Sequence, residues 1–260
     1  MKAFEIMDEI IGPGFIESRG GWCVDGVKFG DPEAEVSKIA VCLTATPDII
    51  RDAAQWGAQL IITHEPTFGS HMDDERDTPV SLAKAKLLEE AGITVYRWHD
   101  STHFLSTDKI GESFIDRLCW EGEFDGDMSF TLKEAKTPLQ IAKEISQKLG
   151  LKHPRIVGRL DGEVTRLNLC LGARGEGPYM SFRTDDFEVI VAGEICEWHD
   201  AEPVRDMAQL GWQKTLIILG HAGSERDGME DLAVTINRDY ASRGITAKYF
   251  DCGELYTYAD

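Results

Sequence analysis

The chain has 260 residues, enough for two ordinary domains and for a core that needs no disulfide or structural metal to hold it together. Its 46 acidic and 27 basic residues give a formal net charge of −19, which excludes the basic face of a nucleic-acid binder and argues equally against adhesion to an anionic membrane. With 42% hydrophobic and 28% charged residues, and apolar runs no longer than a strand, the composition is that of a soluble globular protein. The opening MKAFEIMDEIIGPGF has neither a basic leader nor an apolar block, and the six cysteines are dispersed without a C-x-x-C pair. A reducing, cytoplasmic compartment is expected.

The first predicted strand covers 36–43 (VSKIAVCL). A helix follows over TPDIIRDAAQWG, with Thr46 as N-cap, Pro47 in the first helical position and Gly57 as its stop. AQLIIT is the next strand, PVSLAKAKLLEEAG the next helix, ITVYRWH the third strand and GESFIDRLCWEG a further helix. The segment EFDGDMSFTLKEA reads as a junction, after which the alternation restarts with the helix TPLQIAKEISQKLG, whose Ile141, Ile145 and Leu149 share one face. Strand RLNLCL, a Gly-rich turn GARGEGP, strand FEVIVA, a helix around AEPVRDMAQLG and strand TLIIL come next. The last helix is expected to begin after Ser224, and strand TAKYF closes the chain. This is α/β architecture in two units, 1–127 and 128–260.

The restart also repeats the sequence. EVSKIAVCLTA and EVTRLNLCLGA share Glu, Val, Cys, Leu and Ala, with Ser/Thr, Lys/Arg, Ile/Leu and Val/Leu exchanges between them. QLIITHE and EVIVAGE both end in glutamate, at Glu65 and Glu194, and His99-x-x-x-His103 is matched by His221-x-x-x-Glu225. Three matches in the same order indicate a duplicated α/β unit, in which equivalent strand ends lie near one another.

Imidazoles and carboxylates gather at these strand ends. His64 and Glu65 follow AQLIIT, His99, Asp100 and His103 follow ITVYRW, and His221 and Glu225 follow TLIIL at a spacing that puts both on one face of a helical turn. Ligands of an open parallel sheet bind beyond the carboxyl ends of its strands, and His/Asp/Glu sets ligate zinc, manganese and iron. A metal site is therefore expected. His71, in the polar loop HMDDERD, is an alternative extra ligand. GARGEGP lacks the spacing of a phosphate-binding P-loop; it reads as a strand-to-helix turn, with anion cradling by Arg174 as the alternative.

THEPTFGSH, WHDSTH, AGEI and above all GHAGSERDGMEDLA resemble the Nif-three-like family, also described as type-two GTP cyclohydrolase-like. WCVDGVKFGD stands where that family carries Asp-Asn-x-Gly-Leu-x-x-Gly, so the resemblance covers nearly the whole chain. Its most specific part is GH-x-x-SE-x-x-G, here Gly220, His221, Ser224, Glu225 and Gly228. The resemblance implies two related three-layer α/β domains, a pair of divalent metals in the cleft between them, a toroidal homohexamer and metal-dependent hydrolysis.

Two positions depart from the family pattern. Glu65 replaces the second of two adjacent histidines, and His103 replaces the aspartate of H-x-x-x-D. The implied ligand set is His64, Glu65, His103, His221 and Glu225, with bridging assigned to Glu225 and to Glu65 as the second choice. Two divalent ions per chain are expected, zinc first, with manganese or iron as alternatives and a single ion as the other option. His99 and Asp100 are candidates for proton transfer or for orienting a ligand, and Glu194 enters as the counterpart of Glu65, a helix cap or interface carboxylate being its other reading.

The expected function is a metal-dependent hydrolase that attacks a phosphoester, nucleotide or cyclic amide with a metal-bound hydroxide. The alternative is a non-catalytic metal-binding adaptor or regulatory protein working as a ring-shaped oligomer. Residues 131–166 carry eight Lys or Arg against four acids, a basic stretch in an acidic chain that suits an acidic neighbour in such an oligomer.

Overall fold

The computed structural model describes residues 1–174 and 187–259. The first half of the chain runs α1 (Ala3–Ile11), α2 (Phe15–Arg19), β1 (Gly26–Phe29), β2 (Lys38–Cys42), α3 (Pro47–Trp56), β3 (Leu60–Thr63), α4 (Pro79–Ala91), β4 (Thr94–Arg97), α5 (Asp100–Phe104) and α6 (Lys109–Leu118). The second half continues with β5 (Gly122–Phe124), β6 (Ser129–Lys136), α7 (Pro138–Leu149), β7 (Arg155–Gly158), β8 (Val164–Cys170), β9 (Val189–Ala192), α8 (Glu202–Gln209), β10 (Thr215–Ile218), α9 (His221–Tyr240) and β11 (Thr246–Tyr249). No helix among the described residues is long and apolar enough to cross a membrane.

Three helices share one local code, Thr-Pro at the start and Gly at the end. Thr46, Thr78 and Thr137 each accept a hydrogen bond through Oγ1 from the backbone N–H three residues on, at 3.2, 3.1 and 3.2 Å. Gln140 completes a capping box by accepting from the Thr137 N–H at 2.8 Å. Gly57, Gly92 and Gly150 end these helices in the left-handed conformation that lacks a Cβ penalty.

The chain forms two compact units, Met1–Leu105 with Met229–Gly253, and the remainder. The first unit holds a five-stranded sheet in the order β1-β4-β3-β2-β11, parallel except for β1. The second holds a six-stranded sheet in the order β5-β6-β8-β9-β10-β7, with β8, β9 and β10 parallel and the other strands antiparallel. Both contain the same motif: three parallel strands in chain order, with the strand that precedes them returning antiparallel against the last. β1-β4-β3-β2 and β7-β10-β9-β8 are copies of one topology, which is the structural form of the sequence repeat.

Side-chain alternation along these strands builds a core on each sheet face. In the second unit Leu167, Leu169, Val189, Val191 and Ile217 pack with α6 and α7, while Cys170, Ile190, Ala192, Leu216 and Ile218 pack with Val204 and Met207 of α8. In the first, Ala40, Cys42, Ile61 and Val95 pack against Ile49, Ile50 and Ala53 of α3 and Leu88 of α4. The opposite set, Ile39, Val41, Leu60 and Ile62, is equally buried. Each unit is thus a three-layer α/β assembly.

Three expectations are corrected. The predicted junction is a hairpin: β5 and β6 pair Phe124 with Phe130 and Gly122 with Leu132, and Asp125 Oδ1 holds the turn by accepting from the N–H groups of Asp127 and Ser129, both at 2.9 Å. Its period-two signal, buried Phe130 and Leu132 between exposed Thr131 and Lys133, is short and lies beside a run of acids and glycines. The last helix starts at His221, not after Ser224. The units also do not divide at 127/128, because β11 pairs in parallel with β2 and so returns the chain to the first sheet.

Glu144 on α7 makes the second unit pH-sensitive. Burial pushes its carboxyl up, but hydrogen bonds from Lys136 Nζ and Trp120 Nε1, both 2.6 Å, prevail and hold it below the ordinary glutamate value. Its stabilisation is therefore present above that ordinary value and lost as pH falls through the depressed one. Urea unfolding should show Glu144→Gln less stable than wild type at neutral pH, with the gap shrinking as pH falls below the ordinary glutamate value. A gap that is independent of pH would contradict this.

Candidate metal centre

In the first unit, neighbouring parallel strands β3 and β4 deliver their next residues to the same sheet edge, held there by Trp98 N–H donating to Thr63 O at 2.9 Å. His64 follows β3 and is fully buried. Its Nδ1 donates to the Trp98 carbonyl at 2.9 Å, which fixes the tautomer and puts the ring's lone pair on Nε2. His99 follows β4, and its Nδ1 lies 2.9 Å from Asp100 Oδ1, a carboxylate–imidazole pair of the kind that orients metal ligands.

His103 comes from the same short helix, α5. Ring centroids of His64, His99 and His103 are 4.6, 5.2 and 5.1 Å apart, and one ligand nitrogen from each lies within 4.8 Å of the others. Zinc bound at about 2.0–2.1 Å by tetrahedral nitrogens spaces them at roughly 3.4 Å, a change that small side-chain rotations supply. The donor chemistry therefore fits a divalent ion. His71 stacks edge-on against His99 at 5.4 Å, with its pKa lowered by burial and then by the Arg97 guanidinium and His99.

The start of α5 is pinned by a residue far upstream. The buried Asp25 carboxylate accepts from the N–H groups of His99 at 2.5 Å, Asp100 at 2.8 Å and Ser101 at 2.8 Å. Asp100 reciprocates, its Oδ2 accepting from Val24 N–H at 3.2 Å. Burial raises the Asp100 pKa, yet the hydrogen bonds from His99 and Val24 win and hold it below the ordinary aspartate value. Asp100 Oδ1 thus stands as the acceptor for His99 Nδ1.

In the second unit, His221 opens α9 directly beyond β10. Its Nδ1 lies 2.9 Å from Glu194 Oε1 and its Nε2 3.0 Å from Glu225 Oε2, one turn along the helix. Glu225 is buried and Glu194 exposed. Ser224 Oγ accepts from Gly172 N–H at 2.9 Å and donates to His221 O at 2.8 Å, tying the turn to the loop after β8. Gly172 has φ +65°, and a Cβ there would stand 2.0 Å from Glu225 Oε1; one on Gly193 would stand 2.3 Å from Gly172 O. Gly172 lets backbone approach the carboxylate, and Gly193 lets backbone approach Gly172, where no side chain fits.

The structure thus groups His64, His99 and His103 in the first unit and Glu194, His221 and Glu225 in the second, while Glu65 lies beside Arg97, its Oε2 3.8 Å from Arg97 Nη2. Glu65 and Glu194 each sit two residues beyond their strand, at equivalent positions with different partners. The register differs for the other pair. Leu60 faces Thr94 as Val189 faces Thr215, and carrying this forward sets His103 against Ser224, one residue out of step with Glu225. Arg174 pairs with Asp108 at 3.0 Å, which opposes the anion-cradle alternative; the rest of GARGEGP, residues 175–178, lies outside the described residues.

Sequence reasoning missed Asp25 and Arg97. It also missed a second Trp-His-Asp run, where His199 Nδ1 lies 3.0 Å from the fully buried Asp200, which also accepts from Cys196 N–H at 2.7 Å. The available signals were a lone arginine ending the apolar strand TVYR, and the recurrence of WHD.

Gly172→Ala should lower stability by about 1–2 kcal/mol through the positive φ alone, and should also displace Glu225. Chemical unfolding measures the first effect and a crystal structure of the variant the second. An unmoved Glu225 would show that the cradle is not needed.

A family model described as Duf34/NIF3 (NGG1p interacting factor 3) matches residues 2–251. The chain is 24% identical over 236 residues to a GTP cyclohydrolase 1 type 2 homolog of Clostridium perfringens, covering 86% of this chain and 87% of that one. It is 26% identical over 212 residues to a protein of the same description from Campylobacter jejuni, covering 79% of each. Among solved structures, a Staphylococcus aureus protein superposes with a TM-score of 0.80 at 16% identity over 99% of both chains. A Bacillus cereus protein related to NIF3 gives 0.76 at 14% identity, over 100% of this chain and 98% of that one. The structures share the fold, and the family model extends along nearly the whole sequence: this chain belongs to the Duf34/NIF3 family.

Proposed function

We propose that the chain is a divalent-metal-dependent hydrolase, with His64, Glu65 and His103 as ligands from the first unit and His221 and Glu225 from the second. The observation that carries this reading is the convergence of three imidazoles in the first unit, two of which have Nδ1 committed to a neighbouring acceptor. A structural polar cluster has no need to orient lone pairs in this way, whereas a ligand set does. Zinc is the first choice of ion, because imidazole and carboxylate together suit it; manganese and iron are the alternatives.

When bound, such an ion supplies Lewis acidity, polarising a phosphoryl or carbonyl oxygen and acidifying water. The chain's own residues do the rest. Asp100 keeps the His99 proton on Nδ1, so His99 meets the cluster through Nε2 and belongs with the ligands or as their immediate neighbour. Glu194 holds His221 from the Nδ1 side and leaves Nε2 with Glu225. Glu194 therefore acts by orienting His221. Phosphoesters, nucleotides and cyclic amides are the substrate classes, and the description of the two bacterial relatives makes GTP the first compound to test.

The test combines elemental analysis with turnover. Protein grown with zinc, manganese and iron should carry one or more equivalents of metal per chain. His64→Ala with His103→Ala, and separately His221→Ala with Glu225→Ala, should each lower that content while circular dichroism stays unchanged. Turnover of the responsive substrate should fall about 100-fold or more in both. Metal below about half an equivalent in the wild type, or activity that survives chelation and both double variants, would overturn the reading.

A further inference from the structure

We propose that Arg97 is a positioning residue for the metal centre, holding the place of the Glu65 carboxylate. This deepens the metal-binding reading above and rests on it.

Arg97 ends strand β4 and is fully buried. Removing a guanidinium from water costs several kcal/mol, so it persists only where acceptors are arranged around it. Here those acceptors all come from one stretch of chain, the segment that leaves the adjacent strand β3. Nε donates to His64 O at 2.8 Å, Nη1 donates to His71 O, and Nη1 lies 3.4 Å from Asp73 Oδ2. Asp73 Oδ1 in turn accepts from the N–H groups of Thr67 at 2.7 Å and Phe68 at 2.9 Å. Asp73 has φ +59°, in the left-handed region that aspartate adopts more readily than most non-glycine residues. Arg76 Nε closes the loop by donating to Asp73 O at 2.6 Å. The backbone of His64 and that of His71 are therefore held by the same guanidinium.

The remaining nitrogen indicates more than a clamp. Nη2 is buried and has no hydrogen-bond partner among the described residues; Glu65 Oε2 stands 3.8 Å from it. That is too long for a hydrogen bond and short enough for a direct charge interaction. Lysine would keep the charge but could not reach His64 O, His71 O and Asp73 together, since only a planar fork spans three directions.

Cobalt(II) titration of the metal-free full chain tests this, read by the visible spectrum and by competition with a chelator. Arg97→Lys should weaken cobalt binding about tenfold and alter the d–d bands, the scale seen when a partner supporting a ligand is removed. In a Glu65→Gln background the same change should shift affinity less than about twofold, because the carboxylate it acts on is gone. Asp73→Asn serves as the second variant if Arg97→Lys does not fold, and the same dependence on Glu65 is expected of it. Equal losses in both backgrounds would reduce Arg97 to a structural clamp, and an unchanged affinity and spectrum would overturn the proposal outright. Wild-type protein that takes up no cobalt would instead remove the metal reading on which it rests.

Discussion

An imidazole has two nitrogens, and what happens at one decides what the other can do. In this chain the first decision is taken by the scaffold. Trp98 O holds Nδ1 of His64, Asp100 holds Nδ1 of His99, and Glu194 holds Nδ1 of His221. One acceptor is backbone, set by the pairing of β3 with β4, and two are carboxylates placed at strand or helix ends. Everything else around the histidines serves to keep those acceptors still: Asp25 pins the backbone that carries His99 and Asp100, and the loop after β8 pins the turn that carries His221.

Much of this was legible before the structure. The Thr-Pro and Gly punctuation of α3, α4 and α7 gave their limits nearly to the residue, because capping is a local interaction and local interactions are written in neighbouring positions. The parallel strands were legible for a similar reason, since a strand buried on both faces is a short continuous apolar run. The edges were not. β1 and β7 are four-residue antiparallel strands with partly exposed residues, and nothing in GVKF or RIVG states which strand they join. The β5–β6 hairpin was obscured by its own turn chemistry, and the return of β11 to the first sheet is a pairing across the length of the chain that no window of sequence contains.

The site shows the same division. Histidines and carboxylates after apolar strands announce themselves, because chemistry-bearing residues collect at the carboxyl edge of a parallel sheet. Their supporting residues do not. Asp25 lies some 75 positions before the backbone it caps, and Arg97 reads as the ordinary polar end of a strand until the loop wound around it is seen. Glu65 likewise reads as a polar residue after a strand, until the buried Arg97 guanidinium is seen 3.8 Å from its Oε2.

The return of β11 has a consequence for how the protein is made. The second unit is contiguous in sequence apart from a short tail, so it can close as soon as α9 begins to leave the ribosome. The first cannot. Until residues 246–249 appear, the outer edge of β2 offers its unpaired backbone alongside the fully apolar stretch Ile39–Cys42, the kind of open strand that recruits wrong partners. The half synthesised first is therefore the half completed last. Until then the nascent chain carries a sheet with one side still waiting for residues 246–249.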